Sequence, residues 1–543
     1  MDELADPEIG VFSAGVGAPP VMVRHFRHVV LWPLQIMSAK RNGDIERHDD
    51  VMQTIAPSGL WTLVEDEIGS DSELQERHYR EFVTFLPHVQ RFLYGEGGGR
   101  IGQLGHAAAP LRTYRRNDIT MVRLRLNATA APVTCNVVHL DLIYLYDVDA
   151  AILACELSAD ELPLHTAEDI VYRFGRAYPP GWEDTGEALH CPHLVEWLDG
   201  AGQVVGRSDY QDRQRYLAYV NERRAPCIAG HWEQLLRPLV PDASDCEGAL
   251  RFRQIEYYRM PCMTYLAMDD IGCLTRADTV RLALASAPGA SDELPFSEEY
   301  LTRFEETYCY DRFRTAGKHT GADARFLSCG HALTIVAAGS LPNIIDENRG
   351  LLGEFRHQYF LLFLLVHVHK AALLMLSDRL VAAIKPLDVK SRRSIRAFRR
   401  DIYGLQEAFL RFAQRYYVGD VSDKAQTREL YRMLHEQLGI ERLYQEIRAE
   451  LFDVQQYLDS DLLRRQSGSM LRLTVVTIIG LVGAISTGFL GMNLIDETDA
   501  PIATKLIYFG MVFVGAVVLV LLTITLSRPL ASFFDWLSQE SRR

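Results

Sequence analysis

Residues 473–490 read LTVVTIIGLVGAISTGFL, eighteen positions without a charge, and GMN follows at once at 491–493. A short acidic segment, 494–505, separates this run from a second uncharged one, LIYFGMVFVGAVVLVLLTITLS, at 506–527. The hydrocarbon core of a bilayer takes roughly 20 apolar residues at 1.5 Å rise each, and both runs are of that order. In lipid every backbone N–H and C=O must be satisfied within the segment, so each run reads as a helix. Arg464, Arg465 and Arg472 precede the pair, and Arg528, Arg542 and Arg543 follow it. The intervening loop carries Asp496, Glu497 and Asp499 against Lys505 alone. By the positive-inside rule both termini face the cytoplasm and the loop faces out, as in a multi-pass protein of the cell (inner) membrane.

Gly491-Met492-Asn493 stands at the outer end of the first of two C-terminal membrane helices, with a short loop after it. In this arrangement the chain resembles the CorA family of magnesium channels, the two-helix GMN transporters. Counting back without gaps, Met470-Leu471-Arg472-Leu473-Thr474-Val475-Val476 is similar to the family's approach to its first membrane helix. The resemblance spans Thr427 to Arg528 and extends more weakly over Asn136 to Pro180. It implies an α+β cytoplasmic domain, a long stalk helix and two transmembrane helices, assembled as a homopentameric funnel. Two positions depart from the family pattern: Leu490 stands where an aromatic is common and Val482 where a proline is common.

The chain has 543 residues and a net charge of −14. That net charge argues against a nucleic-acid partner, whereas an acidic soluble part raises the local concentration of cations. Nine cysteines, scattered and without Cys-x-x-Cys, suit reduced thiols in a cytosolic compartment. The start, Met1-Asp2-Glu3-Leu4-Ala5-Asp6, has neither the basic nor the apolar region of a signal peptide.

In chain order, residues 1–118 read as an N-terminal extension, partly disordered around Gly10 to Pro20. Gly97 to Gly102 satisfies GxGxxG but lacks the preceding strand of a dinucleotide site, so it reads as a loop. Residues 119–345 form the expected α/β domain. Val137 to Tyr146 and Ala150 to Leu157 make a hairpin, helix-like Thr166 to Gly175 follows, and strand-like Gln254 to Leu266 and Leu327 to Ala338 continue the sheet. His190-Cys191-Pro192-His193 has no second ligand pair at zinc spacing and reads as a surface loop. No phosphate-binding, zinc-protease or nucleophile-elbow pattern occurs, so the chain does not read as an enzyme and no organic cofactor is expected.

Residues 346–470 read as cytoplasmic helices and the stalk. Tyr359 to Leu376 is apolar enough to resemble a span, but Lys370 near its middle would cost about 3 kcal/mol in lipid. A third span would also put the termini on opposite sides, so a buried helix is expected. Val389 to Tyr417, with Arg392, Arg393, Arg396, Arg399 and Arg400, reads as a solvated or lipid-facing surface. Leu443, Ile447, Leu451, Val454, Leu458 and Leu462 recur at helical steps, and Gly439 is the soft point of the proline-free stretch from Asp423 to Asn493.

The resemblance assigns 471–493 as the first span, 494–505 as the external loop, 506–527 as the second span and 528–543 as a cytoplasmic tail. Carried over without gaps, the pore side holds Ser467, Met470, Leu473, Thr477, Leu481, Ala484 and Gly488. Gly491, Met492 and Asn493 form the selectivity filter, with Asn493 meeting the ion through its hydration shell. Mg²⁺ is the implied cargo, with Co²⁺ or Ni²⁺ beside it, and cytoplasmic Mg²⁺ the implied regulator. Asp496, Glu497 and Asp499 would concentrate cations outside. Small Gly480, Ala484 and Gly488 are equally a close-packing face. A zinc or other divalent transporter and a non-conducting membrane-anchored scaffold stay open as alternatives.

Overall fold

A computed structural model describes residues 21–38, 55, 58–64, 79–95, 111–145, 148–248, 250–289, 294–312, 323–339, 342–388, 391–491 and 501–540. The chain divides into two compact units, Met1–Leu451 and Phe452–Arg543. The first is built on a mixed sheet, with fourteen strands among the described residues. Across the sheet the strands run Cys309–Tyr310 (β12), Ala324–Ser328 (β13), Ala332–Ala338 (β14), Cys262–Met268 (β11), Met22–Ser38 (β1), Ala150–Pro163 (β6), Val133–Leu145 (β5), Met121–Arg125 (β4), Leu194–Leu198 (β7) and Val204–Arg207 (β8), with Leu250–Gln254 (β10) and Val240–Pro241 (β9) extending from β1, and Leu111–Arg116 (β3) and Trp61–Leu63 (β2) from β5.

The sheet is organised around β1, Met22–Ser38. One edge of β1 pairs with β6 (Ala150–Pro163) from Met22↔Pro163 to Gln35↔Ala150. Its other edge pairs first with β11 (Cys262–Met268), over Val23 to Val30, then with β10 (Leu250–Gln254), over Leu34 to Ser38. Pro33 lies at the change of partner. Leu31 N–H, two residues earlier, donates to Pro261 O at 2.8 Å, so the N–H that proline lacks would point into the gap between β11 and β10. The expected N-terminal extension 1–118 is therefore corrected: β1, β2 (Trp61–Leu63) and β3 (Leu111–Arg116) belong to the sheet. Buried on both faces from Phe26 to Ile36, β1 carries no clean polar alternation to betray it. Gly10 to Pro20 and Gly97 to Gly102 lie outside the described residues.

The expected hairpin is present as β5 (Val133–Leu145) and β6, antiparallel from Asn136↔Ser158 to Leu145↔Ala150. Leu164–Arg173 (α2) follows; α1 is the earlier helix Pro87–Tyr94, which Pro87 starts at its first turn. The stretch expected as one strand, Gln254 to Leu266, is two. Gln254 ends β10, and Cys262 begins β11. Leu327 to Ala338 is a second hairpin, β13 (Ala324–Ser328) and β14 (Ala332–Ala338), turning at Gly330 with φ 80°. Trp232, in α4 (Gly230–Leu236), anchors the core, with ring centroids 5.9 Å from Trp32, 5.7 Å from Trp197 and 5.5 Å from Phe174.

Arginines close helix C-termini inside this unit. Arg176, 2 % exposed, donates to Tyr172 O at the end of α2. Arg116 donates to Gln234 O at 3.0 Å and Leu235 O at 2.7 Å at the end of α4. Arg259 reaches Leu284 O at 3.0 Å, and also Ala285 O, at the end of α5 (Arg276–Leu284). Each guanidinium meets orphan carbonyls and the negative end of a helix dipole.

The apolar run expected as a buried helix is α7, Phe360–Ile384, entered through a π-helical turn at Phe355–Tyr359; α6 is Glu298–Tyr308, and α3 is Arg213–Arg223. The most apolar window of the helical stretch Leu351–Ile384 is 72 % buried. Its charges are spent on the sheet. Lys370 Nζ meets Glu256 at 3.0 Å, Arg379 pairs with Asp149, and Arg356 in the π turn donates to Glu156 at 3.1 Å and Glu347 at 3.1 Å. Charges so partnered, with the Glu156 and Glu256 side chains themselves buried, make it a core helix. Helix α8 (Arg392–Arg411) packs beside it and ends in a second π turn, Phe412–Tyr416. There His369 Nε2 donates to Tyr416 O at 2.6 Å, and burial holds the imidazole neutral, its pKa lowered to about 3.

Helix α9 (Ala425–Gln437) stops where Gly439 takes φ 62°, and α10 runs from Ile440 to Gly491. The soft point is thus a break, and the proline-free stretch forms two helices. On α10, Ile447, Leu451 and Leu458 are buried and Leu443 and Val454 half-buried, in keeping with the expected stripe; Leu462's side chain lies outside the described residues.

Candidate functional site

The second unit contains most of α10, which runs to Gly491, and α11, Ile502–Glu540. Within α11, Ile502–Leu522 has a mean hydropathy of 2.4 and is 11 % buried. That is long and apolar enough to cross a membrane, and in water such exposure of a 21-residue helix would be costly. Of the first expected span, Val476–Gly488 is a described apolar helix.

The two helices meet along a narrow seam. Val482, Ala516 and Val520 are buried there, with Ile478, Ile485 and Val517 packed against them. Beside it is an apolar groove of about 250 Å³ lined by Ile479, Phe513 and Leu521 among others. Ser486, 1 % exposed, satisfies its hydroxyl on Val482 O at 2.8 Å. A hydroxyl closed onto the preceding turn can be buried at little cost.

The pore-side candidates lie elsewhere on α10. Leu473, Thr477, Leu481, Ala484 and Gly488 follow one another at steps of four, four, three and four, which puts them on one arc roughly 80° wide at 3.6 residues per turn. All five are exposed. Leu473 is 67 % and Leu481 50 % exposed, and a Cβ built at Gly488 would meet nothing within 4 Å. Val482, at the heart of the seam, lies roughly 140° round the helix from the middle of that arc. Thr477 Oγ1 donates to Leu473 O at 2.8 Å, leaving its oxygen lone pairs as acceptors on the exposed face. Gly480, which fell in the small-residue face, is also open.

The remaining sequence-derived site residues are only partly covered. Gly491 is the last residue of α10. Ser467 and Met470 lie in that helix, but their side chains are outside the described residues, as are Met492, Asn493, Asp496, Glu497 and Asp499 altogether. The geometry therefore brings together five of the pore-side candidates and leaves the GMN ring and the acidic loop as sequence-based expectations.

In the first unit the zinc-like tetrapeptide is dispersed. His190 Nδ1 pairs with the Tyr172 hydroxyl, His193 Nδ1 lies 3.0 Å from Glu187, and Cys191 is buried, with its thiol pushed up to about 12 by burial. Cys191 is thus core rather than surface loop, and such a thiol is a poor ligand at neutral pH. Among the described residues no three His, Cys, Asp or Glu side chains are grouped as a metal site. The polar layer under α7 escaped sequence reading. Its one signal was Glu156, a carboxylate inside the buried run 150–159 of β6.

The structure is similar to that of a CorA magnesium transporter from Methanocaldococcus jannaschii, with 14 % identity, 51 % of this chain and 94 % of that chain covered, and a TM-score of 0.17. No family model and no curated protein matches the chain.

Proposed function

We propose that the chain is a membrane-embedded divalent-cation transporter, with hydrated Mg²⁺ as cargo, in which copies of α10 surround an axial pore as a homopentamer. The observation that carries this reading is the exposed arc Leu473, Thr477, Leu481, Ala484 and Gly488. Helix α11 covers a different side of α10, which leaves the arc open to face other copies of the same helix. Its composition suits a pore: one hydroxyl, two small residues and two leucines in five positions, uncharged throughout.

The chemistry follows from the ion. Mg²⁺ dehydrates reluctantly and prefers octahedral oxygen. A ring of Asn493 amide oxygens, with backbone carbonyls near Gly491 and Met492, would accept hydrogen bonds from its water shell without replacing it. Neutral acceptors hold the hydrated ion weakly enough to release it. Met470 and Leu473 at the inner end form a hydrophobic constriction able to gate by dewetting. Membrane potential supplies about 4.6 kcal/mol for a divalent ion at about 100 mV, so transport needs no nucleotide site. Asp496, Glu497 and Asp499 gather cations outside, both termini lie in the cytoplasm, and cytoplasmic Mg²⁺ regulates.

The test is Mg²⁺ uptake into proteoliposomes holding a Mg²⁺-sensitive dye, under an inside-negative potential, with Asn493→Ala beside the unaltered chain. Loss of uptake in the variant is expected; undiminished uptake removes Asn493 from the filter. Zn²⁺ entering in place of Mg²⁺ would reassign the cargo.

A further inference from the structure

The segment Ser391–Arg400 reads SRRSIRAFRR, five arginines in ten residues with no acid, in a chain whose net charge is −14. It forms the first half of α8. The inward side of the helix is apolar: Ile395, Phe398, Ile402, Leu405 and Phe409 are buried at steps of three and four. The opposite stripe begins with Arg393, Arg396 and Arg400, all exposed. Arg400 has only a grazing contact of 3.5 Å with Asp401 beside it, and Arg393 and Arg396 have no carboxylate partner among the described residues. Arg116, Arg259 and Arg356 of the same unit are used quite differently: they cap helices or pair with a buried carboxylate.

The same end of the α7–α8 hairpin exposes apolar side chains. Val381 is 63 % and Ile384 43 % exposed on the last turn of α7, next to exposed Lys385. Pro386 and Asp388 are tied to the first turn of α8 by the Ser394 hydroxyl, which donates to Pro386 O at 3.1 Å and accepts from Asp388 N–H at 2.8 Å. A tip that joins exposed guanidinium groups with bare aliphatic residues is the make-up of a surface that binds the headgroup and upper acyl layer of anionic lipid.

We infer that the α7–α8 tip docks on an anionic bilayer surface through Arg393, Arg396 and Arg400, with Val381 and Ile384 inserting beside them. The occupant is lipid because the chain carries its own exposed apolar helices and so resides at a bilayer, and because a positive tip on an acidic protein complements anionic headgroups. The inference rests on the membrane placement proposed above and is independent of which ion is carried.

The test places the full chain in nanodiscs of phosphatidylcholine alone or with a third of the lipid as phosphatidylglycerol, and follows amide hydrogen exchange over 391–404. Exchange is expected to slow about tenfold in the anionic discs, the scale set by a few arginine contacts to headgroups. The protection should vanish at high salt and in the variant Arg393→Glu/Arg396→Glu/Arg400→Glu. Exchange over β1 and β6, unchanged in that variant, reports that the fold is intact. Equal exchange in the two discs overturns the inference. So does protection that rises with protein concentration in either lipid, which would assign the tip to an acidic surface of a second copy. A chain that does not enter discs at all removes the membrane placement and this inference with it.

Discussion

Arg356→Leu is expected to destabilise the sheet unit strongly, and more so as pH rises. Arg356 Nε donates to Glu156 Oε1 at 3.1 Å from the π turn, and its side chain is 14 % exposed against 10 % for Glu156. Burial raises the Glu156 pKa; Arg356 first and Arg27 second oppose that rise. Leucine keeps much of the apolar stem and removes the charge together with its hydrogen bonds to Glu156 and Glu347. Stranding one partner of a buried pair costs about 3–5 kcal/mol, and because Arg27 still acts on Glu156 the lower end applies. The sign with pH follows from linkage. A carboxyl whose folded pKa lies above its unfolded value of about 4.3 retains a proton that the unfolded chain has lost, so stability falls as pH rises from that value to the folded pKa. Without Arg356 the folded pKa lies higher still, and the fall continues to higher pH than in the unaltered chain. Urea unfolding of the full chain in detergent, read by tryptophan fluorescence, reports this directly, since Trp32, Trp197 and Trp232 cluster in the same unit. Adding Glu156→Leu should return most of the loss, because an apolar pair replaces an ion pair at little cost. A loss under about 0.5 kcal/mol, the level of an ordinary surface substitution, with no added pH dependence, would refute the reasoning.

Two further substitutions test the same unit. Gly175→Ala places a Cβ 3.0 Å from Val30 Cγ1 at φ +82°, and should cost about 1–3 kcal/mol in the same unfolding assay. His369→Leu removes the donor to Tyr416 O in the second π turn, leaving a buried carbonyl unsatisfied, for about 1–3 kcal/mol and a changed near-ultraviolet circular dichroism from the surrounding Phe412, Tyr416 and Tyr417 rings.

What the sequence revealed and what it hid divide by the range of the interactions. The β5–β6 hairpin and the buried helix α7 rest on local patterns, β-branched runs or an apolar stretch interrupted by one lysine, and those patterns carry their own meaning. Gly439 was legible as the soft point of the long helical stretch because glycine, without a Cβ, accepts φ 62° readily. Strand β1 was not legible: buried on both faces from Phe26 to Ile36, with Pro33 inside it, it has the look of neither an amphipathic strand nor a loop. Nor were the Arg116 cap or the Arg356–Glu156 ion pair, whose partners lie 118 and 200 residues away along the chain. In the candidate site, the steps of three and four from Leu473 to Gly488 were readable, and the coordinates add that the arc stands clear of α11. Nothing in a single helix could tell pore-facing from lipid-facing exposure, since Val476 and Ile479 are as bare as Leu473.

That last distinction is the measurement to make. Mg²⁺ uptake would be compared in proteoliposomes bearing the unaltered chain, Ala484→Phe on the proposed pore arc, and Ile479→Phe, 66 % exposed but on another side of the same helix. The account predicts potential-driven uptake by the unaltered chain, near-normal uptake with Ile479→Phe, and uptake reduced to that of empty vesicles with Ala484→Phe. No uptake by the unaltered chain, or equal uptake by the two variants, would contradict it.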